Sequence, residues 1–371
     1  MNKSSVSTAD ESQSAIKKEA ASSRVSFTDL QRFITEALQQ LGLPESDAAT
    51  TGRLMAEAEL QGSDGHGVIR LVPYARRIRA GGLNLTPNIT VVQERPGMAL
   101  LDGDNGMGHL VMSRAAEMAI EKARVCGIGW VGTRMSNHAG PASLYARMPL
   151  AHNMIGLYFA VGNANHLPPW GGLDMLLSTN PIAVAVPALH ESPVVLDMAT
   201  TVAAYGKVKA KAQKGESMPE GWMMDRQGQP LLDPKRADEG FLMPIGGYKG
   251  YGLALIVGLL AGTLNGAAMG KAVIDFNKDQ VSTTNTGQAI MAIDLAAWGD
   301  VDAFKARVDT LVQELRASER MPGVERIWLP GEQSQARREA NLRDGITLPL
   351  ALLEQLAAYA LDADITPLAT F

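Results

Sequence analysis

The chain of 371 residues is 46% hydrophobic and 20% charged, with 34 Lys and Arg against 39 Asp and Glu, a formal charge of −5. That composition excludes a disordered or fibrous chain, and a mildly acidic balance with no long run of either sign argues against a nucleic-acid partner. A single cysteine, Cys126, and six histidines without metal-ligand spacing exclude an internal disulfide and a structural zinc site, as expected in a reducing compartment.

Residues 1–24, rich in Ser, Ala and Lys and without an apolar stretch, read as a flexible tail rather than a secretory signal, so a cytoplasmic protein is expected. A helix is predicted from Thr28 to Leu41, where Leu30, Phe33, Ile34, Ala37, Leu38 and Leu41 repeat at helical spacing before Gly42 and Pro44. A second runs from Ser46 to about Leu60. Between 63 and 83, two glycines flank His66 ahead of an arginine-rich helical segment whose start Pro73 blurs. Strands are predicted at 98–102, 128–132, 154–162, 181–187 and 193–197, with one helix between them from Leu110 to Val125 and Gly127 as its cap. Residues 205–247, rich in Lys, Gly, Pro and Asp, read as irregular. The uncharged stretch 250–270 has the length of a membrane span, but its glycines, Thr263, Asn265 and missing aromatic belt favour a buried helix packed through Gly258, Gly262 and Gly266. Helices return at 302–317 and 348–361, and no repeat of 20 to 50 residues is visible.

Several segments have the residue types that chemistry needs. LLDGDNGMGHLVMS (100–113) places Gly103, Gly106 and Gly108 between a strand and a helix, but the spacing departs from the dinucleotide fingerprint and no acidic residue ends the next strand. A structural turn is favoured there. His66 and Arg70 lie four apart, on one face if the segment is helical. Reduction of a 2-oxo acid needs a proton donor at the carbonyl oxygen and a cation for the carboxylate, which a histidine and a bidentate arginine supply. On residues alone, a turn with a surface arginine is the better fit. His138 stands between a strand and a helix starting near Pro141, where free amides favour an anion, and is equally a satisfied loop histidine. The turn-rich segment 162–187 reads as a pocket wall. Asp197 ends an apolar strand, either as a cap or as a carboxylate that must find a partner such as a histidine. PIGGYKGYG (244–252) and LPGEQ (329–333) are further glycine-bearing polar loops.

Taken in order, His66 to Arg70, His138 to Gly140, Thr179 to Pro181, Asp197, Lys249 to Gly252 and Pro330 to Glu332 resemble the motif series of the malate/L-lactate dehydrogenase family. The resemblance covers nearly everything from about residue 27. It implies an α/β, non-Rossmann nicotinamide-binding fold with a mixed, largely antiparallel sheet and a helical domain from both chain ends. The expected division is a helical domain of 25–95 with 300–371, and a cofactor- and substrate-binding domain of 96–299 carrying a small irregular subdomain near 205–247.

By the same resemblance, His66 is the acid/base residue, Arg70 the carboxylate clamp, and His138 contacts substrate or shares proton transfer, with Asp197 shaping the site. Thr179 and Asn180 fall to the substrate. NAD or NADP lies against Val195, Leu196, Asp197, Met198, Ala199, Tyr248, Lys249, Gly331, Glu332 and Gln333, where a lysine on a glycine-flanked loop suits a phosphate. One departure stands out: Gly65 replaces the usual Ser or Thr before the histidine, and Asp64 is a partial substitute. The function implied is reversible hydride transfer at C2 of a small 2-hydroxy or 2-oxo acid. A reductase of cyclic imino acids and a catalytically silent nucleotide-binding protein are the alternatives. A homodimer without membrane or nucleic-acid partners is expected.

Overall fold

The computed structural model describes residues 22–371. Its elements run β1 (Ser22–Val25), α1 (Phe27–Gln40), α2 (Glu45–Leu60), α3 (Leu71–Arg79), β2 (Thr90–Arg95), β3 (Met98–Asp102), α4 (Gly108–Cys126), β4 (Ile128–Ser136), α5 (Ser143–Ala146), β5 (Met154–Ala160), β6 (Ile182–Val186), β7 (Val194–Met198), α6 (Tyr205–Lys214), β8 (Met223–Asp225), β9 (Gly240–Leu242), α7 (Tyr248–Ala261), β10 (Thr286–Asp294), α8 (Val301–Ala317), α9 (Glu332–Asp344), β11 (Ile346–Pro349) and α10 (Leu350–Ala363). Contacts divide them into two units, one ending at Ala75 and resuming at Ser334, the other spanning Arg76 to Gln333.

In the first unit, the Ser26 hydroxyl accepts from the Asp29 amide and caps α1, which buries Leu30, Phe33, Ile34, Ala37 and Leu38, as the spacing predicts. Helix α2 lies against α1 closely enough that a Cβ at Gly52 would overlap Thr35. The chain ends meet here, because β1 pairs antiparallel with β11 from Ser22 opposite Pro349 to Val25 opposite Ile346. Residues 22–24 are therefore strand, and the remainder of the expected tail lies outside the described residues.

The second unit is built on a seven-stranded sheet in the order β2-β3-β4-β10-β5-β6-β7. Among the described residues β3 and β4 form its one parallel pair, so the sheet is mixed and largely antiparallel. Helix α4 follows its predicted span and ends on Gly127 at φ 78°, a left-handed cap. It packs so closely that a Cβ at Gly129 of β4 would overlap the Ala119 carbonyl. The central strand β10 escapes the sequence reading, because TGQAIMAID mixes small, polar and apolar residues and is buried along most of its length.

The region 205–247 is more ordered than its composition suggests. Helix α6 and the β8–β9 pair surround their own core of Val208, Met218, Met223, Leu231, Ala237 and Leu242. The uncharged stretch after Lys249 contributes only the 14-residue α7 and a short 3-10 turn, and among the described residues no helix is long and apolar enough to cross a membrane. Gly258 packs tightly, since a Cβ there would overlap Met269 and meet Asn180. The unit boundaries differ from those read in the sequence: residues 76–95 and 300–333 fall with the sheet, β2 because it hydrogen-bonds to β3.

Candidate active-site residues in the two units

In the first unit, His66 and Arg70 do not share one helix. A 3-10 turn over Asp64–His66 stops at Gly67, whose ψ of −139° breaks the run, and a second turn over Val68–Arg70 leads into α3. The Arg70 Nε donates to the Gly65 carbonyl at 2.7 Å, so the arginine folds back across the histidine-bearing turn. Burial first, and then the Arg70 charge, push the His66 imidazole down to about 4, which leaves it neutral at neutral pH. At Gly65 a Cβ would meet nothing within 4 Å, so steric crowding does not demand the missing side chain.

Under this turn lies Glu59, which the sequence reading passed over. It ends α2 at 3% exposure, and its Oε1 accepts from the Val68 amide at 2.8 Å. A Cβ at Gly67 would overlap the Glu59 carboxyl, so the backbone can approach only as glycine. Burial, reinforced by Asp64, raises Glu59 to about 8, against the hydrogen bond from Val68. The signal available in sequence was a second glutamate, two residues after Glu57, in the otherwise apolar run MAEAEL.

In the second unit, β4 runs out at Ser136 and delivers Asn137 and His138. Asn137 is buried; its Nδ2 donates to the Asn105 and Gly106 carbonyls while its Oδ1 accepts from Thr284, and the loop is thereby fixed. The His138 ring stands 6.0 Å from that of Phe276. Five residues on, the Ser143 amide at the start of α5 donates to Asp197 Oδ2 at 2.8 Å, so a backbone donor is one partner of the carboxylate for which a histidine was considered. Solvent still reaches Asp197, yet the protein around it desolvates the carboxyl and raises its pKa, with Ser143 and Arg147 opposing.

Strand β7 is bracketed by the two polar loops. At its start the Val195 amide donates to the Pro330 carbonyl, and Gly331, at φ 89°, lies where a Cβ would come within 2.9 Å of Val195. Beyond its end the Thr200 carbonyl accepts from Ile245, next to Gly246 and Gly247, both at positive φ, which open α7 with exposed Tyr248 and Lys249. Two glycine-lined backbones therefore flank Val195–Ala199, and an exposed lysine stands in the first turn of a helix, the end whose free amides favour an anion. This donor set fits a dinucleotide. Leu196, Met198 and Ala199 are half-buried and Gln333 is exposed.

Three expected contacts have structural partners. The Thr179 carbonyl accepts from the amide and the hydroxyl of Thr200. Asn180 is fully buried at φ 20°, accepting from Gly162 and donating to the Ala254 carbonyl, so its carboxamide is occupied with backbone. Glu332 pairs with Arg316 at 2.6 Å and Arg326 at 3.5 Å and accepts from the Leu329 amide, pinning the Pro330–Gly331 loop.

The profile described as malate/L-lactate dehydrogenase matches residues 25–357. A malate dehydrogenase of Pyrococcus abyssi is 38% identical over 346 residues, covering 91% of this chain and 94% of that one. A ureidoglycolate dehydrogenase (NAD(+)) of Escherichia coli K12 is 30% identical, with 91% and 96% covered. Relatives are named for both NAD(+) and NADP(+). The solved structure of malate dehydrogenase from Pyrococcus horikoshii superposes with a TM-score of 0.86 at 34% identity, covering 93% of this chain and 97% of that one.

Proposed function

The chain belongs to the malate/L-lactate dehydrogenase family, and on that premise we propose that it is an NAD- or NADP-dependent oxidoreductase interconverting a small 2-hydroxy acid and its 2-oxo acid. The observation that carries this reading is the neutral imidazole of His66 on a glycine-flanked turn crossed by the Arg70 guanidinium. When bound, the nicotinamide supplies or accepts the hydride at C2 of the acid. His66 takes the hydroxyl proton in oxidation and returns it to the carbonyl oxygen in reduction. Arg70, anchored through Nε, offers its charge to the carboxylate. His138 and Thr179 contact the substrate, and Asp197, held by the Ser143 amide, shapes the site.

Val195, Leu196, Met198, Ala199, Tyr248, Lys249, Gly331 and Gln333 hold the cofactor, with Lys249 suited to a phosphate. Asn180 and Glu332 act by holding their loops. Exposed Ile256, Leu259 and Leu264 on and after α7 support a homodimer, which a monomeric mass by light scattering at micromolar concentration would rule out. An exposed lone Cys126 supports a cytoplasmic protein.

The test is a spectrophotometric screen of NADH and NADPH against 2-oxo acids and cyclic imino acids. Oxidation with a 2-oxo acid supports the reading. Turnover with cyclic imino acids alone moves the assignment to imine reduction, and nucleotide binding with no turnover moves it to a silent binding protein.

A further inference from the structure

Arg77, near the end of α3, is fully buried, although a guanidinium is expensive to desolvate. Its Nη1 donates to the Asp279 carbonyl at 2.7 Å and its Nη2 donates to the Ser282 carbonyl. Those carbonyls belong to a tight turn that the Asp279 carboxylate closes by accepting from the Val281 and Ser282 amides at 3.0 and 2.8 Å. The turn lies directly on the chain after α3, because a Cβ at Gly82 would overlap the Gln280 carbonyl. The same guanidinium lies 5.3 Å from the centroid of the Phe276 ring. Phe276 is 3% exposed, its amide donates to the Asn163 carbonyl at 3.0 Å, and its ring is tilted at 33° to the His138 imidazole, 6.0 Å away. A chain of side-chain contacts therefore runs from Arg77 through Phe276 to His138.

We propose that Arg77 is a positioning residue for His138, acting through Phe276: the arginine fixes the 276–282 loop, and the phenyl ring fixes the imidazole. Lysine cannot replace it, since one ammonium does not reproduce a planar fork that binds two carbonyls and lies on a ring. The catalytic consequence rests on the reading of His138 as a substrate contact.

Phe276→Leu, Arg77→Lys and His138→Gln test it, alone and combined, in the full chain. Phe276→Leu and Arg77→Lys each lower kcat/KM for the 2-oxo acid about tenfold while NADH affinity stays at the wild-type value, and in the His138→Gln background the same changes cost less than about twofold. Equal losses in both backgrounds overturn the proposal. A second readout does not need activity: the His138 ring signal in histidine-labelled NMR spectra, identified by its loss in His138→Gln, shifts in both variants as the Phe276 ring is removed or displaced. An unmoved signal also overturns it. If His138→Gln retains wild-type kcat/KM, the substrate-contact reading fails, and the NMR shift alone decides whether Arg77 positions the ring. Phe276→Leu keeps the test in force if Arg77→Lys does not fold.

Discussion

Replacing Glu59 by Gln should flatten the loss of stability at alkaline pH. In the folded chain burial and Asp64 raise this carboxyl from its ordinary 4.5 to about 8. Between those values the folded state holds a proton that the unfolded state gives up. The stabilisation is complete below about pH 4.5 and is lost as pH rises through about 8, at about 1.4 kcal/mol per pH unit within the window. From pH 5 to pH 8.5 this one group removes about 4 kcal/mol, a large part of the stability of an ordinary domain. Glutamine has nearly the same shape and keeps an oxygen to accept from the Val68 amide 2.8 Å away, but has no proton to lose. Urea unfolding followed by circular dichroism at pH 5, 6, 7, 8 and 8.5 measures the difference as the fall in midpoint with pH. Wild type should lose markedly more than the variant over that range. Parallel curves for the two proteins would show that Glu59 ionises in the folded state as it does in water, and the reasoning from burial would fail.

Other expected outcomes follow from the same geometry. His66→Ala lowers turnover by about two to four orders of magnitude with NADH affinity retained, read by steady-state kinetics and fluorescence titration. In wild type, kcat/KM for oxidation of the 2-hydroxy acid holds level through neutral pH and falls only as pH drops through about 4, where the imidazole gains its proton. Gly67→Ala forces a Cβ into the Glu59 carboxyl and destabilises by about 1–3 kcal/mol, seen as a lower urea midpoint. Gly331→Ala strains a residue at φ 89° that lies against Val195, which destabilises by about 1–3 kcal/mol, seen as a lower urea midpoint, and weakens NADH binding about tenfold.

Much of the local structure was legible in the chain. Helical spacing located α1 and α4 to within a residue or two, and the glycine after Cys126 marked a real left-handed cap, because both signals depend on neighbours within one or two turns. Strand β10 was not legible, since a strand flanked by β4 and β5 is buried on a pattern that local alternation does not express. Around the site, the order of short motifs identified the loops but not what each side chain does in them. Asn180 and Glu332 sit inside recognisable motifs, yet one is bonded to the backbone of α7 and the other to Arg316.

What the sequence determined by itself was helices α1, α2, α4, α8 and α10, strands β3 to β7, the family, and the loops that carry His66, His138, Asp197 and Lys249. The tertiary structure alone decided that Glu59 underlies Gly67, that β7 lies between two glycine-lined loops, and that Arg77 reaches His138 through Phe276. Arg77 and the carbonyl of Ser282 are 205 positions apart, and no periodicity in the chain relates them. Their meeting comes from packing, which brings a buried charge to carbonyl oxygens that accept its hydrogen bonds and so offset part of its desolvation.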